Sequence, residues 1–280
     1  MKAKIQHLNS YKYSKPVFLE SQEIRLCPRN DGSVKIADFS YRIDPEPESC
    51  GIIIDGEGNS VIKAWFNRKT DYFNVETCWT GENTNFNPYN FVINLENTEL
   101  PAKYSHVNEK ILELYKKTEK ESSSVKNFSN FLAGKSDNTI LTFLSLLTGE
   151  IYNNFVYEKR ENGAPYPTEY ILKYRVGACR DMAVLFMECC RCQGLAVRYV
   201  SGYKISRESK ENTDMHAWVE VYIEGAGWKG YDPSLGLAVD DEYFPLAVSY
   251  LPSVTLPVYG NYRANSVTSE FKTTINAEIL

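Results

Sequence analysis

The sequence predicts an α+β protein in which an antiparallel β domain is followed by helices and then by a second group of strands. Segments of alternating polar and apolar residues, separated by turn residues, fill the first third of the chain. Helical periodicity appears in the middle, and further alternating segments come after it. This order of elements is typical of α+β folds, and 280 residues suffice for one large or two modest domains.

Residues 1–97 are predicted to form the antiparallel β domain. The segments 23–26, 35–43 and 60–66 have the alternating character of strands, and turn clusters such as Asp55-Gly56-Glu57-Gly58-Asn59 separate them. The composition changes near Glu99-Leu100-Pro101. We therefore place a domain boundary there, although the residues of the β domain do not indicate what it does.

The remaining chain is predicted to divide into three parts. Residues 98–135 form a helical or linker region, in which the polar stretch 119–126 is a linker or a frayed helix. Residues 136–255 form the catalytic core, which begins with a helix because Ile140, Phe143, Leu144 and Leu147 have i, i+3, i+4, i+7 spacing. Residues 256–280 are predicted to be a C-terminal strand and tail that packs on the core, with a final strand at 271–277 for which either sheet is open.

The second half of the core is predicted to be one helix followed by three strands. After Cys179, apolar residues recur on one helical face as far as Gly194, which is suited to end a helix. The strands are predicted at 196–203, 215–223 and 228–232.

Bulk properties exclude several classes of protein. The net charge of -5 and the pI near 5.4, without clustered Lys or Arg, predict no nucleic-acid partner. No run approaches the roughly 18 apolar residues of a membrane span, and the first residues lack the apolar segment of a signal peptide. With an odd count of seven cysteines, we expect reduced thiols and a cytoplasmic location, with no membrane partner.

We predict neither a cofactor nor a metal. Cys189, Cys190 and Cys192 lie close together, but zinc sites need four ligands at recognisable spacings, so these thiols are interpreted as packing residues. The sequence leaves the oligomeric state open.

Cys179 is the candidate nucleophile. It lies two residues after Gly177, at the start of the predicted helix, where partial positive charge and free N–H groups stabilise a thiolate. The same N–H groups suit a developing oxyanion. A cysteine beside an apolar helix face is more commonly a small buried hydrophobic residue, so a partner must support the catalytic interpretation.

His216 is the candidate base, because the other two histidines have no neighbouring motif. In the strand 215–223 the aliphatic residues Ala217, Val219, Val221 and Ile223 share one face, and His216 lies on the other. The alternative is a surface or structurally bonded imidazole.

Asp232 is the candidate that orients His216. If residues 224–226 form a three-residue hairpin loop, Asp232 is opposite Trp218 and diagonal to His216 on the same face. A two-residue loop would turn Asp232 away from the imidazole. The alternative is a turn residue preceding Pro233.

Four motifs in this order resemble those of bacterial transglutaminase-like proteins: Gly177-Ala178-Cys179-Arg180-Asp181, Arg198-Tyr199-Val200-Ser201-Gly202-Tyr203, His216-Ala217-Trp218-Val219-Glu220-Val221 and Gly227-Trp228-Lys229-Gly230-Tyr231-Asp232-Pro233. The N-terminal part, with Tyr11-Lys12-Tyr13 and the run 24–29, resembles the β domain that commonly precedes this core. The resemblance implies a papain-like core, in which a helix carrying the cysteine packs on an antiparallel sheet carrying the histidine and aspartate.

The predicted function is acyl transfer through a thioester, with Cys179, His216 and Asp232 as the catalytic triad. Hydrolysis of peptide or amide bonds in a peptide or protein substrate is favoured over transamidation, because nothing in the chain indicates an amine-binding tunnel. The N–H of Cys179 is the first expected oxyanion donor, and Trp218 is at most a candidate for the second. The alternative function is a noncatalytic protein-binding module with the same fold.

Overall fold

The computed structural model describes residues 1–30, 32–118, 122–160, 163–207 and 214–280. The strands are β1 Lys2–Ile24, β2 Val34–Asp44, β3 Ser49–Ile54, β4 Ser60–Trp65, β5 Lys69–Asn83, β6 Val156–Tyr157, β7 Val176–Gly177, β8 Val197–Lys204, β9 Met215–Ile223, β10 Gly227–Asp232, β11 Leu237–Ala238, β12 Tyr243–Ser249, β13 Val258–Arg263 and β14 Ser269–Ile279. The α-helices are α1 His106–Ile111, α2 Ser123–Lys135, α3 Ile140–Asn154, α4 Thr168–Tyr174 and α5 Cys179–Cys192.

The first sheet is the predicted antiparallel β domain, and it is organised around the long strand β1. The path β2-β5-β1-β4-β3 runs through it, with every pairing antiparallel. Because alternate residues of a strand point to opposite faces, one face of β1 buries apolar side chains such as Ile5 and Val17. These pack with Phe73, Val75 and Trp79 of β5 in one apolar cluster.

The C-terminal segment joins this first sheet, which is one of the two alternatives for its final strand, whereas the expectation that residues 256–280 pack on the core was wrong. β13 pairs with the end of β1, and β14 pairs with its beginning, from Ala3 opposite Ile279 to Tyr13 opposite Ser269. The physical reason is the length of β1. Without β14, one edge of that strand would keep a row of unpaired backbone N–H and C=O groups.

The core has the predicted arrangement of helices on an antiparallel sheet. Its strands follow the order β11-β10-β9-β8-β12, with antiparallel pairing throughout. The aliphatic face of β9 packs with α5 and α3 in one buried cluster, to which the following residues of these three elements contribute: Ala217, Val219, Val221, Ile223, Met182, Leu185, Phe186, Phe143, Leu144 and Leu147. The predicted apolar faces of α3, α5 and β9 are therefore confirmed.

Helix α5 begins and ends where the sequence indicates. It starts at Cys179, and Gly194 follows it in the left-handed conformation, with φ of 71°. The N–H groups of Gly194 and Leu195 donate to the carbonyls of Arg191 and Cys190 at 2.9 and 3.0 Å. These bonds satisfy two carbonyls that the helix leaves open at its C-terminus.

The region between the β domain and the core is helical. The prediction of a linker or frayed helix over 119–126 falls partly outside the described residues, at 119–121. From Ser123 the chain is helix α2, and the side chain of Ser122 accepts a hydrogen bond from the N–H of Val125. In the parts of the chain that the structure describes, no helix is long and apolar enough to cross a membrane.

The β domain contacts the end of the core sheet from which His216 projects. Tyr203 and Phe244 of the core share an apolar cluster with Trp79 of the β domain. His7 is fully buried at this junction, and its Nδ1 lies 2.7 Å from the hydroxyl oxygen of Tyr203. Since Gly202 is paired with His216, the β domain supports the strand beside the candidate base.

Candidate active site

Cys179 is the first residue of α5, and local interactions fix the start of this helix. Oδ2 of Asp181, three residues after the N-cap, accepts a hydrogen bond of 2.7 Å from the N–H of Ala178. Gly177 leaves room for that side chain, because a Cβ at this position would lie 2.7 Å from the Cβ of Asp181. The sulfur of Cys179 therefore meets the positive end of the helix dipole.

Asp181 also holds the segment before α4 against the active-site helix. It is completely buried, and its Oδ1 accepts from the guanidinium of Arg160 at 2.6 Å and from the N–H of Tyr166 at 2.7 Å. The Arg160 guanidinium lies over the Tyr166 ring, 3.7 Å from its centroid. Arg180 donates to the backbone oxygens of Arg160 and Gly163. These hydrogen bonds connect the segment before α4 to the helix that carries Cys179.

The predicted hairpin register is confirmed. Tyr231 pairs with Val219 and Gly227 pairs with Ile223, so residues 224–226 form a three-residue loop. This register gives Asp232 the predicted position diagonal to His216. Nε2 of His216 lies 2.7 Å from Oδ2 of Asp232, and the aspartate side chain is fully buried.

Asp232 is surrounded by hydrogen-bond donors. Its Oδ1 accepts from the N–H and hydroxyl of Ser234 at 3.0 and 2.7 Å, and from the N–H of Leu235 at 3.3 Å. Its Oδ2 accepts from the hydroxyl of Tyr243 at 2.9 Å as well as from His216. These donors satisfy a buried carboxylate, which must otherwise be neutralised.

The remaining nitrogen of the imidazole faces the thiol. Because Asp232 occupies Nε2, Nδ1 is the nitrogen available to the sulfur of Cys179. The two side chains interact, since His216 lowers the pKa of Cys179 and Cys179 raises that of His216, and the backbone N–H of Ala217 also lowers the pKa of Cys179. The structure therefore brings together all three residues that the sequence indicates.

The charges of this group favour a thiolate and an imidazolium. Burial opposes the thiolate, but the hydrogen bond and charge of His216 outweigh it and hold the pKa of Cys179 below its ordinary value. Burial also opposes the imidazolium, yet Asp232 and then Cys179 raise the pKa of His216 to about 10. Burial also disfavours the carboxylate of Asp232, but His216, Ser234 and Tyr243 outweigh it and lower the pKa of Asp232.

We expect Cys179 to be alkylated by iodoacetamide at a lower pH than an ordinary thiol, because its pKa is lowered. His216→Ala removes the imidazole that stabilises the thiolate, whereas burial still opposes it. The pKa of Cys179 should therefore rise. The alkylation rate at pH 7 should then fall roughly tenfold for each unit of that rise. Peptide mass spectrometry of each cysteine after timed labelling measures both profiles.

Cys189 serves as the internal reference in that measurement. It is a thiol on the same helix, and burial raises its pKa well above the ordinary value. It should react slowly in both proteins. If His216→Ala leaves the profile of Cys179 unchanged, the pairing of thiol and imidazole is not what activates the sulfur.

Trp218 is too deeply buried to be the second oxyanion donor, for which the sequence made it a candidate. Only 1% of this side chain is exposed, and its ring packs 5.2 Å from that of Tyr243, so its indole cannot face a substrate. Sequence reasoning also missed Tyr243, which donates to Asp232, and Tyr157, which pairs with Gly177 and has a pKa that burial and then Cys179 raise. Neither had a local signal, because each reaches the site through the pairing of strands distant in sequence.

Family models match both halves of this architecture. Residues 126–233 match the transglutaminase-like superfamily, and residues 3–80 match the bacterial transglutaminase-like N-terminal region. The chain has a transglutaminase-like core and a bacterial transglutaminase-like N-terminal region. Cys179, His216 and Asp232 all lie within the matched core.

This transglutaminase-like protein shares parts of its sequence with curated bacterial proteins. It is 33% identical over 107 residues to the uncharacterized protein Rv2569c of Mycobacterium tuberculosis (strain H37Rv), covering 35% of this chain and 34% of the relative. It is 29% identical over 101 residues to the uncharacterized protein YebA of Bacillus subtilis (strain 168), covering 30% of this chain and 14% of the relative. The matched stretch thus spans about a third of the first relative and less of the second.

A solved structure shares the fold over nearly the whole transglutaminase-like chain. It is described as a "putative cysteine protease" from Cytophaga hutchinsonii, and it superposes with a TM-score of 0.68 at 19% sequence identity. The match covers 98% of this chain and 90% of the other. At this identity the likeness shows the fold, including the order of β domain and core.

Proposed function

We propose that the protein is a cysteine enzyme that transfers acyl groups through a thioester on Cys179. His216 acts as the acid and base, and Asp232 holds the imidazole. The observation that supports this most strongly is the 2.7 Å hydrogen bond between Nε2 of His216 and the buried Asp232, which leaves the other side of the imidazole for Cys179, whose pKa His216 lowers. Nucleophile, base and orienting carboxylate are the three parts of a catalytic triad.

In the first step the sulfur of Cys179 attacks a carbonyl carbon. A C–S bond forms, the π electrons of the carbonyl move onto its oxygen, and the thiol proton already resides on His216. The tetrahedral intermediate then collapses, and the bond to the leaving amine breaks. That amine takes the proton from the imidazolium, which leaves neutral His216 and a thioester.

In the second step water attacks the thioester. His216 accepts a proton from the water as the new C–O bond forms, and the C–S bond breaks when the second intermediate collapses. The products are a carboxylic acid and the starting pair of Cys179 and His216. A primary amine in place of water would give a new amide by the same sequence of proton transfers.

Exposure around the sulfur supports hydrolysis as the main reaction. The side chain of His216 retains 15% of its surface, and Tyr157 beside the thiol is half exposed. Water can therefore reach an acylated Cys179, and at its high concentration it competes well with an amine unless the site excludes it. The substrate that we propose is a peptide or protein, and the location that we propose is the cytoplasm, where thiols stay reduced.

The activated ester p-nitrophenyl acetate tests this function without knowledge of the substrate. We expect a burst of p-nitrophenol equal to the concentration of protein, and an acetyl group that peptide mass spectrometry finds on Cys179. In the presence of a primary amine, free acetate should remain the main product. A dominant amide product would instead establish transamidation, and an unacylated Cys179 would favour the noncatalytic binding module.

A further inference from the structure

The β domain contains a cavity beside the edge of β1 that pairs with β13 and β14. On this edge β1 changes its partner. Tyr13 is opposite Ser269 of β14, whereas from Phe18 onward the partner is β13. Both Tyr13 and Ser269 line the cavity, whose volume is about 150 Å³. An engineered cavity of about 150 Å³ in another protein binds benzene, so this one has room for a six-membered ring.

Aromatic rings form much of the cavity wall. They belong to Tyr11, Tyr13, Phe73 and Tyr262. Phe73 and Tyr13 are 1% and 7% exposed, so they form the inner part, whereas Tyr262 is exposed at the mouth. The faces of aromatic rings carry partial negative charge, which attracts the weakly positive C–H groups of a ring-shaped ligand.

Gln22 brings an unpartnered carbonyl oxygen to this cavity. It follows a β-bulge in β1 and pairs with Gly260, which leaves room for its side chain. Its Nε2 donates to the backbone oxygens of Glu20 and Asn261, both at 3.0 Å, and this identifies the other end of the amide as the oxygen. Although Gln22 is only 5% exposed, none of the described residues donates to its Oε1. Buried acceptors normally have a donor, which a ligand in the cavity would supply.

The tyrosine hydroxyls of the cavity have no partner among the described residues either. This holds for Tyr11, Tyr13 and Tyr262. Burial, followed by the interaction with Tyr262, raises the pKa of Tyr13 to about 12, so its hydroxyl keeps its proton at neutral pH. A protonated phenol can both donate and accept a hydrogen bond. The cavity therefore combines aromatic faces with polar groups that are available to a ligand.

The lining indicates the chemistry of that ligand. None of the described side chains that line the cavity is charged, so a phosphate, carboxylate or ammonium group would be buried without a counter-charge. A purely apolar ligand would leave Oε1 of Gln22 and the hydroxyl of Tyr13 without partners, which is unfavourable. A flat base would stack on parallel rings, but the rings of Tyr13 and Tyr262 are inclined by 58° at a centroid distance of 5.0 Å. A neutral ring that carries several hydroxyl groups meets all of these conditions.

We propose that this cavity binds one pyranose ring of a neutral saccharide. The C–H groups of the sugar pack on Tyr11 and Tyr13, and one of its hydroxyls donates to Oε1 of Gln22. Because Tyr262 and Ser269 at the mouth are exposed, a glycosidic bond can extend into the solvent. The inference does not depend on the proposed acyl transfer, since no residue of the triad lines the cavity.

Saturation-transfer NMR with methyl glycosides of glucose, galactose, mannose and N-acetylglucosamine tests this site. We expect transfer from the aromatic protons of the protein to the ring protons of at least one glycoside at millimolar concentration. Tyr13→Phe keeps the ring but removes the hydroxyl, and it should weaken binding roughly fivefold, the effect of losing one hydrogen bond. Tyr262→Ala removes one aromatic wall and should abolish the transfer.

Tyr259→Phe is the matched control, because Tyr259 is an exposed tyrosine on the same strand that does not line the cavity. It should bind as wild type does, and thermal denaturation should show that all variants are folded. Cys179→Ala should also bind the glycoside, which separates this site from the reaction at the sulfur.

Several results would overturn the inference. They are the absence of transfer to every glycoside with folded wild type, transfer that is unchanged in both Tyr13→Phe and Tyr262→Ala, and stronger binding of adenine or N-acetyltyrosine amide than of any glycoside. The source of the sugar is read from an oligosaccharide of the same unit. Tighter binding than the methyl glycoside identifies the end of a glycan and equal binding identifies a free sugar, and either result supports the site.

Discussion

Cys179→Ala is expected to reduce acyl transfer to the uncatalysed background. The sulfur is the atom that forms the covalent intermediate, and no neighbouring group can replace it in that step. Removing the nucleophile of a triad lowers kcat by roughly 10⁴- to 10⁶-fold. The measurement is the turnover of p-nitrophenyl acetate by wild type and variant at equal concentration, with the acetylated peptide followed by mass spectrometry.

The fold should survive this substitution. Cys179 contributes one buried sulfur at the end of a helix, so its loss should cost about 1 kcal/mol of the free energy of unfolding. Cys189→Ala is the matched control, because it removes a buried thiol from the same helix at a distance from His216. It should keep its activity. Comparable turnover in Cys179→Ala and wild type would assign the reaction to another residue.

The relation of histidine to aspartate was predictable because it depends on local geometry. The three-residue loop 224–226 fixes the register of a hairpin, and the register fixes which side chains share a face. The start of α5 was predictable for a similar reason. Gly177, Cys179 and the apolar face behind them lie within one continuous stretch of sequence.

The contacts that the sequence did not predict depend on which distant strands pair with one another. The alternation of polar and apolar residues within a strand does not specify its partner. β14 has the pattern of a strand, but nothing in that pattern selects β1 as its partner over the core sheet. Tyr157 lies 22 residues before Cys179 and reaches it through two residues of parallel ladder, too short to leave a periodic signal. The burial of Trp218 depends in the same way on β8 and β12, which supply Val200, Tyr243 and Val248 around it.

Asp232→Asn is expected to lower kcat strongly while preserving the fold. The side chains have nearly the same shape, but an amide replaces one acceptor oxygen by a donor NH₂ group. Both oxygens of Asp232 accept hydrogen bonds in the structure. Whichever way the amide turns, its NH₂ group meets a donor.

The two orientations are not equivalent. On the Oδ1 side the donors include the backbone N–H groups of Ser234 and Leu235, which cannot reverse. On the Oδ2 side the partners are the hydroxyl of Tyr243 and Nε2 of His216, both of which can become acceptors. The NH₂ group should therefore face His216. That contact selects the imidazole tautomer protonated on Nδ1, which cannot accept the proton of the thiol.

The loss of charge acts in the same direction. The carboxylate is what raises the pKa of His216 against its burial, so the imidazolium of Asp232→Asn should persist only to a lower pH than in wild type. We expect kcat to fall by roughly 10²- to 10⁴-fold, the effect of holding a catalytic histidine in the wrong tautomer. The rate of iodoacetamide alkylation at neutral pH should fall as well, because less of Cys179 is ionised.

Tyr243→Phe separates this effect from the simple loss of a hydrogen bond to the carboxylate. It removes a donor of 2.9 Å to the same Oδ2 but leaves the negative charge and the preferred tautomer of His216. We expect it to lower kcat by no more than roughly tenfold, since one hydrogen bond to a charged group contributes about 1.5 kcal/mol. A similar loss in both variants would mean that Asp232 acts only through packing, and an unchanged rate in Asp232→Asn would remove it from the reaction.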